Sequence, residues 1–285
     1  MQDAFAYCAE LVRTADRDRY LASLFAPAGR RNALHALYAF NADVARVREV
    51  AREPLPGEIR LQWWSEVVGG QRAEEARANP IASALLAAIE RHHLDVAKLA
   101  GLLEARRFDL YDEPMASLAA LEAYAGKTSS ALMALAMQIL AEATADDLVG
   151  AAGLAFAIAG LLHAFPLHAA RRQLYLPADL LQRHRVSQPD IFAGRSTAAL
   201  QAALAELRAV ARRHLAVAAE RMAELPPQAL PALLPLALVR PSLDRLEHAA
   251  PFAPGEISPW RRQWLIWRAA RNPARIASAQ HRWSF

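Results

Sequence analysis

Apolar positions recur at three- and four-residue intervals along nearly the whole chain, the period of a helix with one buried face. Phe5, Cys8, Ala9, Leu11 and Val12 form one such stripe, and Asp16 and Asp18 stand where a cap for the next segment belongs. Tyr20, Leu21, Leu24 and Phe25 follow, up to a stop at Pro27-Ala28-Gly29. The spacing predicts a long helix over 30–50, with Leu34, Leu37, Tyr38, Asn41 and Ala45 on one face, broken at Pro54, Pro56 and Gly57. Residues 58–68, 81–90, 95–110 and 117–139 read as further helices, the last opened by Ser117. The polar segment before Pro80 reads as loop, as does 183–197. A long amphipathic helix is expected over 197–223 and a shorter one over 229–239. From Pro241 a helical zone runs on, interrupted by Pro251, Pro254 and Pro259. No run of four residues alternates as a strand does, and there is no repeat or low-complexity linker. The expectation is one all-α domain over 1–285, a bundle of about ten helices.

One segment departs from the amphipathic pattern. Residues 148–162 carry no polar side chain. A helix apolar on every side must be buried all round, which makes this the expected central helix. Gly150, Gly153 and Gly160 cost helix propensity there, and close packing against neighbours is the expected return. The run is shorter than the ~20 residues a membrane span needs, so no transmembrane helix is predicted. It leads through His163, Pro166 and His168 to Arg171-Arg172 and Tyr175-Leu176-Pro177, the stretch expected to decide function.

Composition narrows the picture. With 54% hydrophobic residues the chain can bury a large core, and abundant Ala and Leu favour helix. The net charge is +4, and every basic residue except Lys98 and Lys127 is Arg. Arg suits a phosphate-bearing ligand, an anionic membrane surface or nucleic acid; GC-rich coding is the plain alternative. No nucleic-acid motif accompanies the charge, so no nucleic-acid partner is expected. Cys8 is alone, which excludes a disulfide framework and a thiolate metal site and suits a reducing compartment. The first residues hold acids and no apolar core segment, so no signal peptide is read and a cytoplasmic location is expected.

Three stretches in order resemble the squalene/phytoene synthase family of the all-α isoprenoid synthase fold. They are Tyr20-Leu-Ala-Ser-Leu-Phe-Ala-Pro27 through Arg30-Arg31 to Tyr38-Ala39-Phe40; Arg107-Phe108-Asp109 through Leu121 and Tyr124; and Gly153-x-Ala155 through Arg171-Arg172 to Tyr175-Leu176-Pro177. The resemblance implies a bundle with a central apolar cavity, and a reaction in which a prenyl diphosphate ionises to an allylic cation. Magnesium ions, which want hard oxygen ligands, would neutralise the leaving group. The family supplies those ligands as two Asp-x-x-x-Asp motifs on facing helices.

Here the pattern departs. Aligning Tyr38-Ala39-Phe40 puts the first two aspartate positions at Ala45 and Glu49. Aligning Gly153 and Tyr175-Leu176-Pro177 puts the second pair at Ala164 and His168, with the family's preceding Gln and Asn at Ala157 and Gly160. Only Glu49 is a carboxylate, so no metal and no other cofactor is expected unless a working prenyltransferase, with Mg²⁺, hides misplaced acids. Asp43 is expected to face away from Ala45, and Asp146 and Asp147 to sit at a helix start. Tyr38-Ala39-Phe40-Asn41, Glu53-Pro54 and Ile59-Arg60-Leu61-Gln62-Trp63-Trp64 further resemble the branch holding the mitochondrial complex I assembly factor and its bacterial relatives. That branch implies a fold kept after its magnesium chemistry was lost, and work at the inner-membrane face beside respiratory complex subunits.

The candidate ligand pocket on this reading is Arg30, Arg31, Tyr38, Asn41, Glu49, Tyr124, Ala157, Gly160, Arg171, Arg172 and Tyr175, open to an isoprenoid or another lipid. The arginines read either as remains of a diphosphate cradle or as solvated helix-end charge. The tyrosines read either as pocket lining or as core with a satisfied hydroxyl. His163 and His168, five apart, share a helix face poorly and read as structural. Residues 257–285 hold six Arg, four Trp and no acid, with Trp260, Trp264 and Trp267 in one stripe. They read as a closing helix docked on the core or as a basic aromatic helix on an anionic membrane, the reading of a peripheral membrane scaffold.

Overall fold

The computed structural model describes residues 1–51, 53–142, 145–253 and 256–276, and no strand occurs among them. Among the described residues twelve α-helices have seven or more residues. They are α1 (Gln2–Ala15), α2 (Arg17–Ser23), α3 (Ala28–Ala45), α4 (Pro54–Val68), α5 (Pro80–His92), α6 (Val96–Arg106), α7 (Leu118–Ala125), α8 (Ala131–Ala141), α9 (Asp146–Ala170), α10 (Ala198–Glu220), α11 (Val239–His248) and α12 (Pro259–Arg271). Ala73–Ala78, Ala178–Arg183 and Gln188–Phe192 bring the number of five residues or more to fifteen, against about ten expected. Two of these three lie wholly in segments read as loop. Ala73–Ala78 buries only Ala76 and is held by Arg72–Glu75 and Arg77–Glu74 pairs, so apolar periodicity has nothing to register. Gln188–Phe192 likewise buries only Ile191.

Helix starts follow local chemistry. Asp16, Asn79, Asp95, Ser117 and Thr197 each accept a hydrogen bond from a backbone N–H in the turn they open. Interruptions were less visible. The helix expected over 30–50 ends at Ala45, and after a turn at Arg46 a short helix Val47–Val50 begins. The helix over 95–110 tightens into a 3-10 turn, Arg107–Leu110. The helix over 117–139 passes through a π-helical turn, Gly126–Ser130, before α8.

One contiguous apolar core runs from Cys8 to Ile276. Within it α9 packs on α10, α8 and the π turn, while α3 packs on α1 and α5. Of the three α9 glycines, Gly153 alone is required by packing. A Cβ there would lie 2.3 Å from Ser130 Oγ and 2.4 Å from Ser130 Cα, whereas at Gly150 and Gly160 it would meet nothing within 4 Å. The Ser130 hydroxyl donates to the Gly150 carbonyl at 3.0 Å across the same contact.

Two expectations for α9 need correction. It is 25 residues long, with a mean hydropathy of 2.0 over its most apolar window, so length and composition alone would allow it to cross a membrane. Its place in the core rests on packing, with 56% of that window buried. It is also not buried all round. Ala155, Ile158, Ala159, Leu162, Phe165 and Ala169 are buried, while Ala157, Leu161, Ala164 and His168 are half-buried. At 100° per residue the last four fall within a sector of about 60°. The face carrying the family's motif positions is therefore the face the bundle leaves partly open.

Candidate functional site

The first motif is carried by α3 and the turn after it. Tyr38 and Asn41 are buried, and Ala45 is half-buried at the helix end. The turn at Arg46 carries Glu49 to the surface, where its carboxylate accepts from Arg46 Nε and Arg171 Nη1, each at 3.1 Å. The Arg171 hydrogen bond, helped by Arg46, holds the Glu49 carboxyl below its usual range against the opposing effect of partial burial. The two halves of the family's motif are thus joined by an ion pair.

On α9, Ala157, Ala164 and His168 share the half-open face, and Gly160 is exposed beside it. The His168 ring lies 4.6 Å, centroid to centroid, from Tyr175. Burial pushes the imidazole down to about 4, with Asp109 opposing and Arg171 reinforcing, so it is neutral at neutral pH. His163, also half-buried, is on another part of the helix surface.

The other arginines go elsewhere. Arg30 bonds His92 Nδ1 at 2.7 Å and Glu142 at 3.0 Å, tying α3 to the ends of α5 and α8. Arg31 donates to the carbonyls of Ala26 and Leu24 and so closes the turn before α3. Arg172, in a left-handed conformation (φ 59°), lays its guanidinium 4.8 Å over the Phe192 ring. Of the four candidate cradle arginines, only Arg171 reaches a motif position.

Beneath the Glu49–Arg171 pair lies a buried polar cluster centred on Asp109, which is 4% exposed. The 3-10 turn after α6 points Asp109 inward. There its oxygens accept from Arg106 Nη1 at 2.9 Å, Tyr124 OH at 2.8 Å and Tyr175 OH at 2.9 Å. Arg106 also reaches Tyr124 OH at 2.8 Å, and Phe108 packs its edge against both tyrosine rings. Burial raises both phenols above their ordinary range, so each remains a neutral donor. Burial works against the Arg106 charge, but Tyr124 and Asp109 outweigh it and hold the guanidinium above its ordinary value. Tyr124 and Tyr175 share Asp109 as partner, so each hydroxyl is satisfied while the rings are half-buried. Arg106 was missed; its signal was the i,i+3 spacing to Asp109.

Three further acids are paired. Asp43 accepts from Arg60 at 2.6 Å and from Trp64 Nε1 at 2.8 Å, facing α4 as its register required. Asp147 pairs with Arg221, and Asp112 with Arg48. Among the described residues no group of three or more His, Cys, Asp and Glu is placed to hold a metal. The four motif positions offer one carboxylate, already in two ion pairs, and one imidazole. That donor set does not fit magnesium, which demands several free oxygens.

Between α3 and α9 the space near Tyr38 is taken by Arg19. Its guanidinium lies 5.7 Å over the Tyr38 ring and 4.8 Å over Phe156, and the residue is 7% exposed. Two cavities lie away from all these groups. One of about 420 Å³ is walled by residues of α6, the π turn, α8 and α9, with Lys98, Lys127 and Asp146 among small side chains, and one of about 300 Å³ lies between α9, α10 and α11.

Comparison with known proteins places this arrangement. The profile of the squalene/phytoene synthase family matches residues 12–268. The rat NADH dehydrogenase (ubiquinone) complex I assembly factor 6 is 31% identical over 247 residues, covering 86% of this chain and 74% of its own. Its human counterpart is also 31% identical, over 243 residues, covering 85% and 73%. In fold, a ligand-bound dehydrosqualene synthase superposes with a TM-score of 0.81 at 18% identity, over 94% of this chain and 95% of its own. Fold, matched span and the ordered motifs converge: the chain belongs to the squalene/phytoene synthase family.

Proposed function

We propose that this protein is a non-catalytic member of its family that assists assembly of a respiratory NADH dehydrogenase complex. The observation that carries the first half is the state of the four motif positions. Ala45, Glu49, Ala164 and His168 replace four expected aspartates, and Glu49 is bound by Arg46 and Arg171. The second half is supported by the assembly factors at 31% identity, which span most of both chains. On this reading the protein acts on the reducing side of the membrane that houses the complex. The half-open face of α9 would hold the apolar tail of an isoprenoid or other lipid without ionising it.

Two experiments test the halves separately. Purified protein incubated with farnesyl or geranylgeranyl diphosphate and Mg²⁺ is expected to release no pyrophosphate; metal-dependent product would restore the prenyltransferase reading. In a cell that depends on this chain, its loss is expected to lower the amount of assembled NADH dehydrogenase on native gels. Rescue by Glu49→Gln as fully as by wild type is the expected result, and an unchanged complex after loss of the chain would remove the assembly role.

A further inference from the structure

Helix α12 divides its surface cleanly. Leu265, Ile266 and Ala269 are buried in the core, and Arg262 pairs with Asp18 on α2, fixing the helix to the bundle. The other face looks outward. Trp260 is 82% exposed and Trp267 45%, so two of the largest apolar side chains in the chain face solvent one helical face away from a completed core contact. Burying either indole inward would have been the cheaper arrangement, since each carries a large apolar area.

The charged side chains that α12 itself carries are all arginines. Arg268 lies 4.7 Å over Trp264, and Arg271 4.4 Å over Trp267. Such stacking keeps each guanidinium beside an indole at the protein surface. Arg261 and Arg275 are exposed on the same helix and the turn that follows. From Ile257 to Ile276 the chain contains no acid. Exposed indoles beside arginines, with no carboxylate among them, match the boundary of an anionic bilayer. There the rings sit at headgroup depth and the guanidinium groups meet phosphates. A protein partner would need acids placed opposite each arginine, whereas a lipid surface supplies negative charge at any rotation of the helix.

We infer that the outward face of α12, built from Trp260, Trp267, Arg268 and Arg271, is a docking surface for anionic phospholipid membranes. The helix lies in the plane of the interface, and α9 stays in the bundle. The inference stands on α12 alone and survives if the assembly reading fails.

Flotation of the full chain tests it, with vesicles of phosphatidylcholine alone and of an equal mixture with phosphatidylglycerol. Wild type is expected to float with the mixed vesicles and to remain at the bottom with the neutral ones. Trp260→Ala with Trp267→Ala should lower the vesicle-bound fraction on the order of tenfold, because the apolar anchor is gone. Arg268→Gln with Arg271→Gln should abolish the preference for the mixed vesicles. All four side chains lie on the outward face, so both variants should keep the wild-type unfolding midpoint, which serves as the folding control. Wild type that fails to float with the mixed vesicles, or a folded double-Trp variant that floats as wild type does, overturns the inference.

Discussion

At the scale of single residues, the Asp109 cluster carries the largest stake. A carboxylate accepting from one guanidinium and two phenols has its lone pairs occupied, and Arg106 depends on it for charge balance. Asp109→Asn is expected to cost about 3 kcal/mol in chemical denaturation, because it leaves a buried guanidinium poorly compensated. Tyr124→Phe, which removes one hydrogen bond and keeps the ring, should cost about 1 kcal/mol. Equal small effects from both would show that the cluster is not the buried ion site described. His168 predicts a pH dependence of definite sign. The unfolded imidazole takes its proton near the ordinary value of 6.5 and the folded one near 4. Between those values the unfolded chain binds a proton that the folded chain refuses, so stability falls as pH drops through that window and is unaffected above it. The loss attributable to this group reaches at most about 3 kcal/mol. The stability difference between wild type and His168→Gln should therefore be constant above pH 6.5 and change below it, with wild type falling more steeply.

At the scale of elements, the contact of α9 with the π turn sets a sharp contrast among similar substitutions. Gly153→Ala places a methyl group inside Ser130, and an overpacked helix contact should lose about 2 kcal/mol. Gly160→Ala fills open space and should gain up to about 1 kcal/mol through helix propensity. Thermal unfolding of the two variants checks the pair, and a shift of the same sign in both would refute the close-packing assignment. The same elements show what sequence reading reaches. Caps at Asp16 and Ser117 were legible because donor and acceptor lie within one turn. The break at Arg46 was not, since neither Pro nor Gly marks it and the cause is tertiary: Arg48 is drawn to the Leu110 carbonyl and Asp112, more than sixty residues away. The motif positions could be set from the resemblance of the residues that flank them. The Asp109 cluster could not, because Tyr124 and Tyr175 lie 15 and 66 residues from their acceptor. What Arg30 and Arg31 reach was hidden for the converse reason. Their partners, His92 and Glu142 for one and two backbone carbonyls for the other, carry no mark in the sequence.

At the scale of the whole molecule, the synthase architecture is retained, and the one carboxylate at the four motif positions is engaged by Arg46 and Arg171. The Glu49–Arg171 pair is exposed on both sides, so it contributes under about 1 kcal/mol to stability. Its importance is positional, since it joins the end of α9 to the turn after α3 at the place where the family's two motifs face each other. A stronger constraint lies one layer deeper, in Arg19 between the rings of Tyr38 and Phe156. Aromatic faces of this kind attract positive charge, and here they are satisfied by a side chain that never loses its proton. A terpenoid reaction needs such faces vacant for the instant in which a carbon atom becomes cationic. In this protein those two faces are held by a permanent charge, and under the non-catalytic reading proposed above a hydrocarbon chain entering between α3 and α9 would meet a host suited to keeping it unreacted.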